Sequence, residues 1–167
     1  QTRMDSKKKK KKKKSPLRLL LIDTKKAYFN AIPLRDVYMR LPGELLLSKD
    51  VVGKQTRCVD GTRDAGMLWE ETCRIALDKI GFKTGLANPC LFNHGDYNMQ
   101  AVVHGGDLTF LGAADRLDWI AEELKKVFDI KVRGRLGIGR ADDEIKILNR
   151  LVKIDERGLP FEADPRH

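Results

Sequence analysis

The chain has 167 residues and a formal net charge of +9. This length predicts one domain with one hydrophobic core and excludes a large multidomain enzyme. The charge is concentrated at one end, because residues 1–14 hold nine basic residues and one acidic residue, which leaves a net charge of only +1 on residues 15–167. A nearly neutral body weakens the first interpretation of the charge, a nucleic-acid-binding surface spread over the whole domain.

Hydropathy and cysteine spacing argue against a membrane-spanning protein and against a fold held by disulfides or zinc. The longest apolar runs, such as residues 19–22, are far shorter than the about 20 residues that a membrane-spanning helix needs. Cys58, Cys73 and Cys90 show no C-x-x-C spacing, which favours reduced thiols over a disulfide framework or a structural zinc site. We therefore expect an intracellular protein, cytoplasmic or nuclear, with no membrane partner.

Residues 1–16 are predicted to be a disordered lysine-rich tail, and residues 17–167 the folded domain. The tail carries a block of like charges that repel each other and bury nothing: Lys7, Lys8, Lys9, Lys10, Lys11, Lys12, Lys13 and Lys14. Such a block could contact nucleic-acid phosphates, serve as a nuclear-localisation signal, or have no function. Because the sequence begins with Gln1 and enters an apolar run almost at once, we expect a fragment of a longer protein.

The first half of the folded region predicts strands around one helix. A buried strand over residues 17–22 presents Asp23 at its carboxyl end, and a short strand follows over residues 37–41. Apolar or small residues at three- and four-residue steps predict a helix over residues 64–80, which ends at Gly81. Three strands separated by turn sequences follow, over residues 90–93, 99–104 and 108–111.

The second half predicts another helix and a hairpin. An amphipathic helix over residues 115–128 leads to a strand over residues 129–132 and a Gly- and Arg-rich loop over residues 133–140. Residues 145–154 and 159–162 then suggest a β-hairpin. The order of elements predicts an α+β fold of the split β-α-β, ferredoxin-like kind, an antiparallel sheet with helices on one face, plus the C-terminal hairpin.

Two aspartates fall at places that this fold can bring together. Asp23 ends the first strand, and Asp107 lies in the tight turn between two later strands. Hard cations such as Mg²⁺ take carboxylate oxygens and retain water and substrate phosphates, so the pair predicts a phosphoryl-transfer metal site. The alternative is that both are ordinary surface and turn aspartates.

Several blocks, in order, resemble the reverse transcriptase of copia-type retrotransposons. Residues 22–31 (IDTKKAYFNA) and 37–42 (VYMRLP) are similar to the first catalytic segment of that family. Residues 61–69 (GTRDAGMLW) and 88–92 (NPCLF) are similar to its Tyr-Gly-Leu-Lys-Gln-Ala block and its Asp-Pro-Cys-Leu-Phe block. Residues 103–108 (VHGGDL) occupy the place of its Tyr-Val-Asp-Asp hairpin.

The resemblance implies a polymerase palm and assigns roles to particular residues. Asp23 and Asp107 would be the catalytic metal ligands for Mg²⁺ or Mn²⁺, and Gly106 stands where the family has a further ligand aspartate. Tyr28 would be the aromatic gate that excludes a ribose 2′-hydroxyl, although it also suits a core aromatic. Arg63 matches a lysine position and would contact the template or the incoming nucleotide phosphates. The two-ion site would be incomplete, so we expect weak or absent activity.

The partners implied are an RNA template, a DNA primer and deoxynucleotides. The family's fingers, thumb and ribonuclease H segments have no counterpart in the sequence, so the resemblance covers a palm fragment of a retroelement polyprotein. Two alternatives stay open. One is a non-enzymatic nucleic-acid-binding module, because RNA-recognition domains share the same order of strands and helices. The other is a decayed retroelement fragment whose behaviour depends on its basic tail.

Overall fold

A computed structural model describes residues 16–45, 50–137, 142, 144–147 and 150–153, together with the backbone of residues 161–162. The predicted lysine-rich tail lies outside the described residues. These residues contain two α-helices, α1 (Ala65–Lys79) and α2 (Ala114–Lys125), with 3₁₀ helices at Ala27–Asn30 and Gly43–Leu45. The strands are β1 (Leu17–Thr24), β2 (Tyr38–Arg40), β3 (Val52–Lys54), β4 (Lys83–Thr84), β5 (Leu91–His94), β6 (Met99–His104), β7 (Asp107–Ala113), β8 (Ile130–Leu136), β9 (Glu144–Ile147), β10 (Arg150–Lys153) and β11 (Phe161–Glu162).

Six strands form the main sheet in the order β4-β5-β6-β7-β1-β8, and every pair in it is antiparallel. Strand β1 is central because it pairs with β7 along one edge and with β8 along the other. The predicted α+β class with a mainly antiparallel sheet is therefore confirmed. In the described part of the chain, neither helix has the length and apolar character needed to cross a bilayer.

Both helices bury their apolar faces in one core on one face of the sheet. Strand β1 contributes Leu20 and Ile22 to this core, and β7 contributes Leu108 and Phe110. Burial alternates along β7, as expected when one face of a sheet is covered. In β1, Leu20, Leu21 and Ile22 are all buried, because Leu21 packs into a second cluster on the other face. Helix α1 is followed by Gly81 at φ 97°, a left-handed backbone that glycine adopts without a Cβ clash, so the predicted C-terminal stop is confirmed.

A second, small cluster lies on the opposite face of the sheet. Leu21 and Leu136 pack there against Ile145 and Val152, which come from a separate three-stranded sheet in the order β11-β10-β9. The predicted C-terminal hairpin is present as the antiparallel pair of β10 and β11, but its first strand is shorter than predicted. The segment expected as one strand over residues 145–154 contains β9 and β10, which pair with each other before β10 pairs with β11.

The predicted loop over residues 133–140 is also wrong for its first half. Residues 133–136 continue β8, and Gly134 and Leu136 lie opposite Leu21 and Leu19 of β1. Arginine and glycine have weak strand propensity, but β1 offers unpaired backbone groups along its second edge, and pairing with them outweighs that local preference. Strands β3 and β4 and both 3₁₀ helices were not predicted, since each spans four residues or fewer.

Candidate active site

The two aspartates lie directly opposite each other. In the register of β1 and β7, Asp23 pairs with Asp107 at the end of the central strand. Both side chains belong to the face of the sheet that the helices leave uncovered, because their neighbours Ile22 and Leu108 point into the main core. We call this surface the open face. The side chain of Asp23 is 25% exposed, so its carboxylate is accessible to solvent and to ions.

The turn beside these carboxylates is held from two sides. The Thr24 amide donates a 2.8 Å hydrogen bond to the Gly106 carbonyl oxygen. The Trp69 indole Nε1 of α1 donates a hydrogen bond to the Gly105 carbonyl oxygen. Trp69 is fully buried in the main core. Helix α1 and the end of β1 together fix the position of the β6–β7 turn.

The two glycines of this turn differ in what they tolerate. Gly105 has φ 54°, the left-handed region that glycine occupies at least cost, whereas Gly106 lies outside that region. A Cβ placed on Gly106 would lie 3.3 Å from the Thr24 carbonyl oxygen and 3.4 Å from the Ala27 Cβ. These contacts are tight but need a shift of only a few tenths of an ångström. A side chain at position 106 would therefore require the Thr24 carbonyl group and Ala27 to move slightly.

Charged side chains continue the row of the two aspartates across the sheet. His104 lies opposite Asp107 on β6, and Lys131 lies opposite Asp23 on β8. The Arg133 guanidinium Nη2 lies 3.1 Å from Asp23 Oδ2 and forms an ion pair with it. Asp23 thus lies beside two cationic side chains of β8, which offset the repulsion expected between it and Asp107 on the other neighbouring strand.

The donor set suits one hard cation better than two. Two carboxylates on neighbouring strands can hold a single Mg²⁺ or Mn²⁺ that completes its shell with water and substrate phosphates. Among the described residues, no group of three or more His, Cys, Asp or Glu side chains is placed to bind a metal ion. A second ion would need a further donor. A Cβ at position 106 would face the Thr24 carbonyl oxygen and the Ala27 Cβ at the end of β1.

Tyr28 lies one turn beyond the end of β1, in the 3₁₀ helix Ala27–Asn30. Its side chain is half-buried and packs against the main core. The 3₁₀ helix begins after Lys26, whose φ of 49° turns the chain sharply, and the preceding Lys25 amide is bonded to the Asp129 carbonyl oxygen. Tyr28 therefore lies at the same end of the sheet as Asp23, in a position that suits either a gate or a core aromatic.

Arg63 is exposed in the turn that leads into α1. Its neighbour Asp64 forms a 3.0 Å ion pair with Arg35, which ties the start of α1 to the segment after the 3₁₀ helix. No hydrogen bond or ion pair within the described residues joins Arg63 to Asp23 or Asp107. The structure thus brings the two aspartates together and does not bring Arg63 into contact with them. The lysines at positions 7–14 lie outside the described residues.

Two residues near the carboxylates, Lys131 and Arg133, were not predicted as part of the site. Sequence reasoning ended a strand at residue 132 and placed Arg133 in a loop. The alternating pattern could have assigned Lys131 to the open face. The same alternation assigns Arg133 to that face, but its place beside Asp23 also depends on a β-bulge, where the register shifts between Leu21 and Ile22.

The open face carries few groups that stack on bases. Its described residues on β1, β5, β6 and β7 include no phenylalanine, tyrosine or tryptophan: Leu19, Leu21, Asp23, Leu91, Asn93, Gln100, Val102, His104, Asp107, Thr109 and Leu111. RNA-recognition domains stack bases on aromatic side chains at the equivalent surface of their sheets.

A search of protein-family models finds no match to this chain, and a search of curated proteins finds none either.

Proposed function

We propose that this chain is a reverse-transcriptase-like palm of copia type, whose two-metal nucleotidyl-transfer site is impaired at Gly106. The observation that carries the proposal is the pairing of Asp23 with Asp107 at the end of the central strand, on the open face. The order of the main strands supports it. Across the main sheet, four of its strands lie in the order β8, β1, β7, β6. This is the order that the proposed split β-α-β sheet requires, with α1 and α2 connecting its strands along the chain.

The proposed chemistry assigns the metal to the two carboxylates. Asp23 and Asp107 would hold Mg²⁺ or Mn²⁺, which lowers the pKa of a primer 3′-hydroxyl and neutralises charge on the transferred phosphate. An aspartate in place of Gly106 would add the ligand that the present site lacks. The glycine therefore reduces the negative charge available to hold cations, which is the reason to expect weak or absent activity.

The partners follow from the same proposal. An RNA template and a DNA primer would lie across the aspartate end of the open face, beyond the part that the C-terminal sheet covers at Leu19 and Leu21, with a deoxynucleotide next to Tyr28. Tyr28 would then exclude a ribose 2′-hydroxyl from its half-buried position at the end of β1. The exposed Arg63 would contact nucleotide or template phosphates, because guanidinium groups pair well with phosphate oxygens. The lysines at positions 7–14 would add affinity without sequence preference.

A second candidate is a nucleic-acid-binding module without catalysis, which includes a decayed retroelement. Gly106 and the Asp23–Arg133 ion pair favour it, because both reduce the capacity of the site for divalent cations. The absence of aromatic side chains from the described open face disfavours an RNA-recognition domain as the form of this module.

Primer extension on an RNA template separates these candidates. The assay uses Mg²⁺ or Mn²⁺ and compares the chain as given with Gly106→Asp, Asp23→Ala and the double variant. We expect Gly106→Asp to extend the primer about a hundredfold faster than the chain as given, because one restored charged contact in an active site is worth about 10²–10³ in rate. Asp23→Ala should be silent in both backgrounds.

Two results would contradict the proposal. One is silence of all four proteins when their circular dichroism spectra show folded domains. The other is extension that persists at full rate after Asp23→Ala, which would mean that the polymerase signal does not come from this site. Salt-sensitive binding of nucleic acid by silent, folded variants would support the binding module instead.

A further inference from the structure

Arg133 occupies the side of Asp23 that a bound cation would share. Its guanidinium Nη2 lies 3.1 Å from Asp23 Oδ2, a distance at which it uses oxygen lone pairs that a metal ion also needs. We propose that Arg133 is a tethered cation that competes with divalent ions for Asp23 and so sets the metal affinity of the site. This inference rests on the proposed function, because it concerns the same pair of carboxylates.

A β-bulge places the guanidinium there. On β8, Val132 lies opposite Ile22 and Gly134 lies opposite Leu21, so Arg133 is the extra residue between them. An extra residue bends the strand and redirects a side chain that would otherwise follow the regular alternation. Bulges at sheet edges often aim a side chain at a functional site, and β8 is an edge strand of the main sheet.

Contacts on the C-terminal side of the bulge hold it in place. A Cβ on Gly134 would lie 2.7 Å from Ile145 Cδ1, which would have to shift, so the C-terminal sheet packs closely on β8 at this glycine. The amide of the next residue, Arg135, donates a 2.9 Å hydrogen bond to Asp142 Oδ2, and the Asp142 amide donates a 2.7 Å hydrogen bond to the Arg135 carbonyl oxygen. Because these neighbours are anchored, the backbone of Arg133 is fixed beside Asp23.

The charges and exposure of these side chains favour competition between Arg133 and a divalent ion for Asp23, and disfavour a permanent block of Asp23 by Arg133. An arginine keeps its positive charge at every physiological pH, and Lys131 adds a second cation in register with Asp23. The Arg133 side chain is 51% exposed, so its ion pair is screened and can open at small cost. A divalent ion can therefore reach Asp23, but it must displace the guanidinium or bind close to its charge.

Titration with Mn²⁺ alone tests this inference, with no primer, template or nucleotide present. Isothermal calorimetry or the electron paramagnetic resonance signal of free Mn²⁺ gives the dissociation constant. We expect Arg133→Met to bind Mn²⁺ about tenfold more tightly than the chain as given, the effect of removing one nearby charge at partly exposed distances. Asp23→Asn added to Arg133→Met should abolish that gain.

A matched control is available on the same strand. Arg135 also forms an ion pair with an aspartate, but on the helix side of the sheet, so Arg135→Met removes the same net charge away from the site. It should leave the Mn²⁺ affinity unchanged. Arg133→Gln, which keeps a hydrogen-bond donor and loses the charge, should reproduce the gain if Arg133→Met fails to fold. Arg133→Lys, which keeps the charge, should bind Mn²⁺ like the chain as given.

Equal Mn²⁺ affinity of Arg133→Gln, Arg133→Met and the parent chain would overturn the inference. An equal gain in Arg135→Met would also overturn it, since the effect would then come from net charge. These outcomes are distinct from failure of the proposed function. Tighter Mn²⁺ binding in Arg133→Met supports the inference even if every variant is silent in primer extension.

Discussion

Alternate residues of the same strands lie on the two faces of the main sheet, and the two faces differ in chemistry. On the helix-covered face, Leu20, Ile22, Leu108 and Phe110 are fully buried in one continuous core. On the open face, the intervening positions of β1 and β7 carry leucines at one end and the paired aspartates at the other. A single strand therefore supplies both the packing that stabilises the fold and the charges that could bind a ligand.

This difference predicts that stability and chemistry can be changed separately. Burying apolar side chains on the helix-covered face provides most of the favourable free energy of folding. Opposed aspartates on the open face contribute repulsion, which neighbouring cations such as Arg133 offset. A site of this kind costs stability and is retained for function in proteins that need it. Substitutions at neighbouring residues of one strand, which point to opposite faces, test whether stability and chemistry can be changed separately.

The largest effect should come from a pair of adjacent positions on β7. Phe110 is fully buried and packs edge-to-face on Phe82 at 5.8 Å, whereas Leu111 lies on the open face and is half-buried. Phe110→Ala should lower the free energy of unfolding by about 3–5 kcal/mol, and Leu111→Ala by about 1 kcal/mol. Urea denaturation followed by circular dichroism measures both. Equal losses would contradict the assignment of stability to one face.

Strong periodic patterns explain why much of this fold was predictable. Helix α1 was expected over residues 64–80 and spans Ala65–Lys79, because its apolar residues recur at helical spacing and Gly81 follows it. Strand β6 was expected over residues 99–104 and has those bounds, since its side chains alternate strictly between buried and exposed. The pairing of Asp23 with Asp107 was anticipated from the order of the elements alone.

The parts of the fold and of the site that were not predicted depend on contacts between residues that are far apart in the chain. Arg133, Gly134 and Arg135 have the composition of a loop, and only pairing with β1 makes them a strand. The ion pair of Arg133 with Asp23 depends on the bulge in that pairing, which no local pattern encodes. The break between β9 and β10 was missed, because apolar residues recur on both sides of the short polar pair Asn149 and Arg150.

An ionisable group buried on the helix-covered face gives a second way to compare the faces, by pH. Burial raises the pKa of the Cys73 thiol from its ordinary value of 9.0 to about 12. Above pH 9 the unfolded chain releases this proton while the folded chain keeps it. Stability should therefore be unaffected by Cys73 below pH 9 and should fall between pH 9 and about 12, by at most about 1.4 kcal/mol per pH unit.

Two variants isolate the contribution of this thiol. Cys73→Ala should reduce the slope of unfolding free energy against pH in that window, because it removes the titrating group. Leu77→Ala, a buried change on the same helix, should lower stability but keep the slope. If Cys73→Ala leaves the slope unchanged, water reaches the thiol in the folded state and the helix-covered face is less closed than its packing implies. Urea titrations at several pH values provide the slopes.

The smallest effect should have the opposite sign and come from the open face. Asp107→Asn removes one of two like charges that lie directly opposite each other, and Asp23 keeps its ion pair with Arg133. The unfolding free energy should rise by a few tenths of a kcal/mol, and the gain should shrink in 1 M salt, where the Debye length is about 3 Å. Asp118→Asn, which breaks the Arg135 ion pair on the other side of the sheet, should instead lose a few tenths. A loss above about 1 kcal/mol in Asp107→Asn would mean that this carboxylate holds the turn together, and a stabilising role would then replace a functional one.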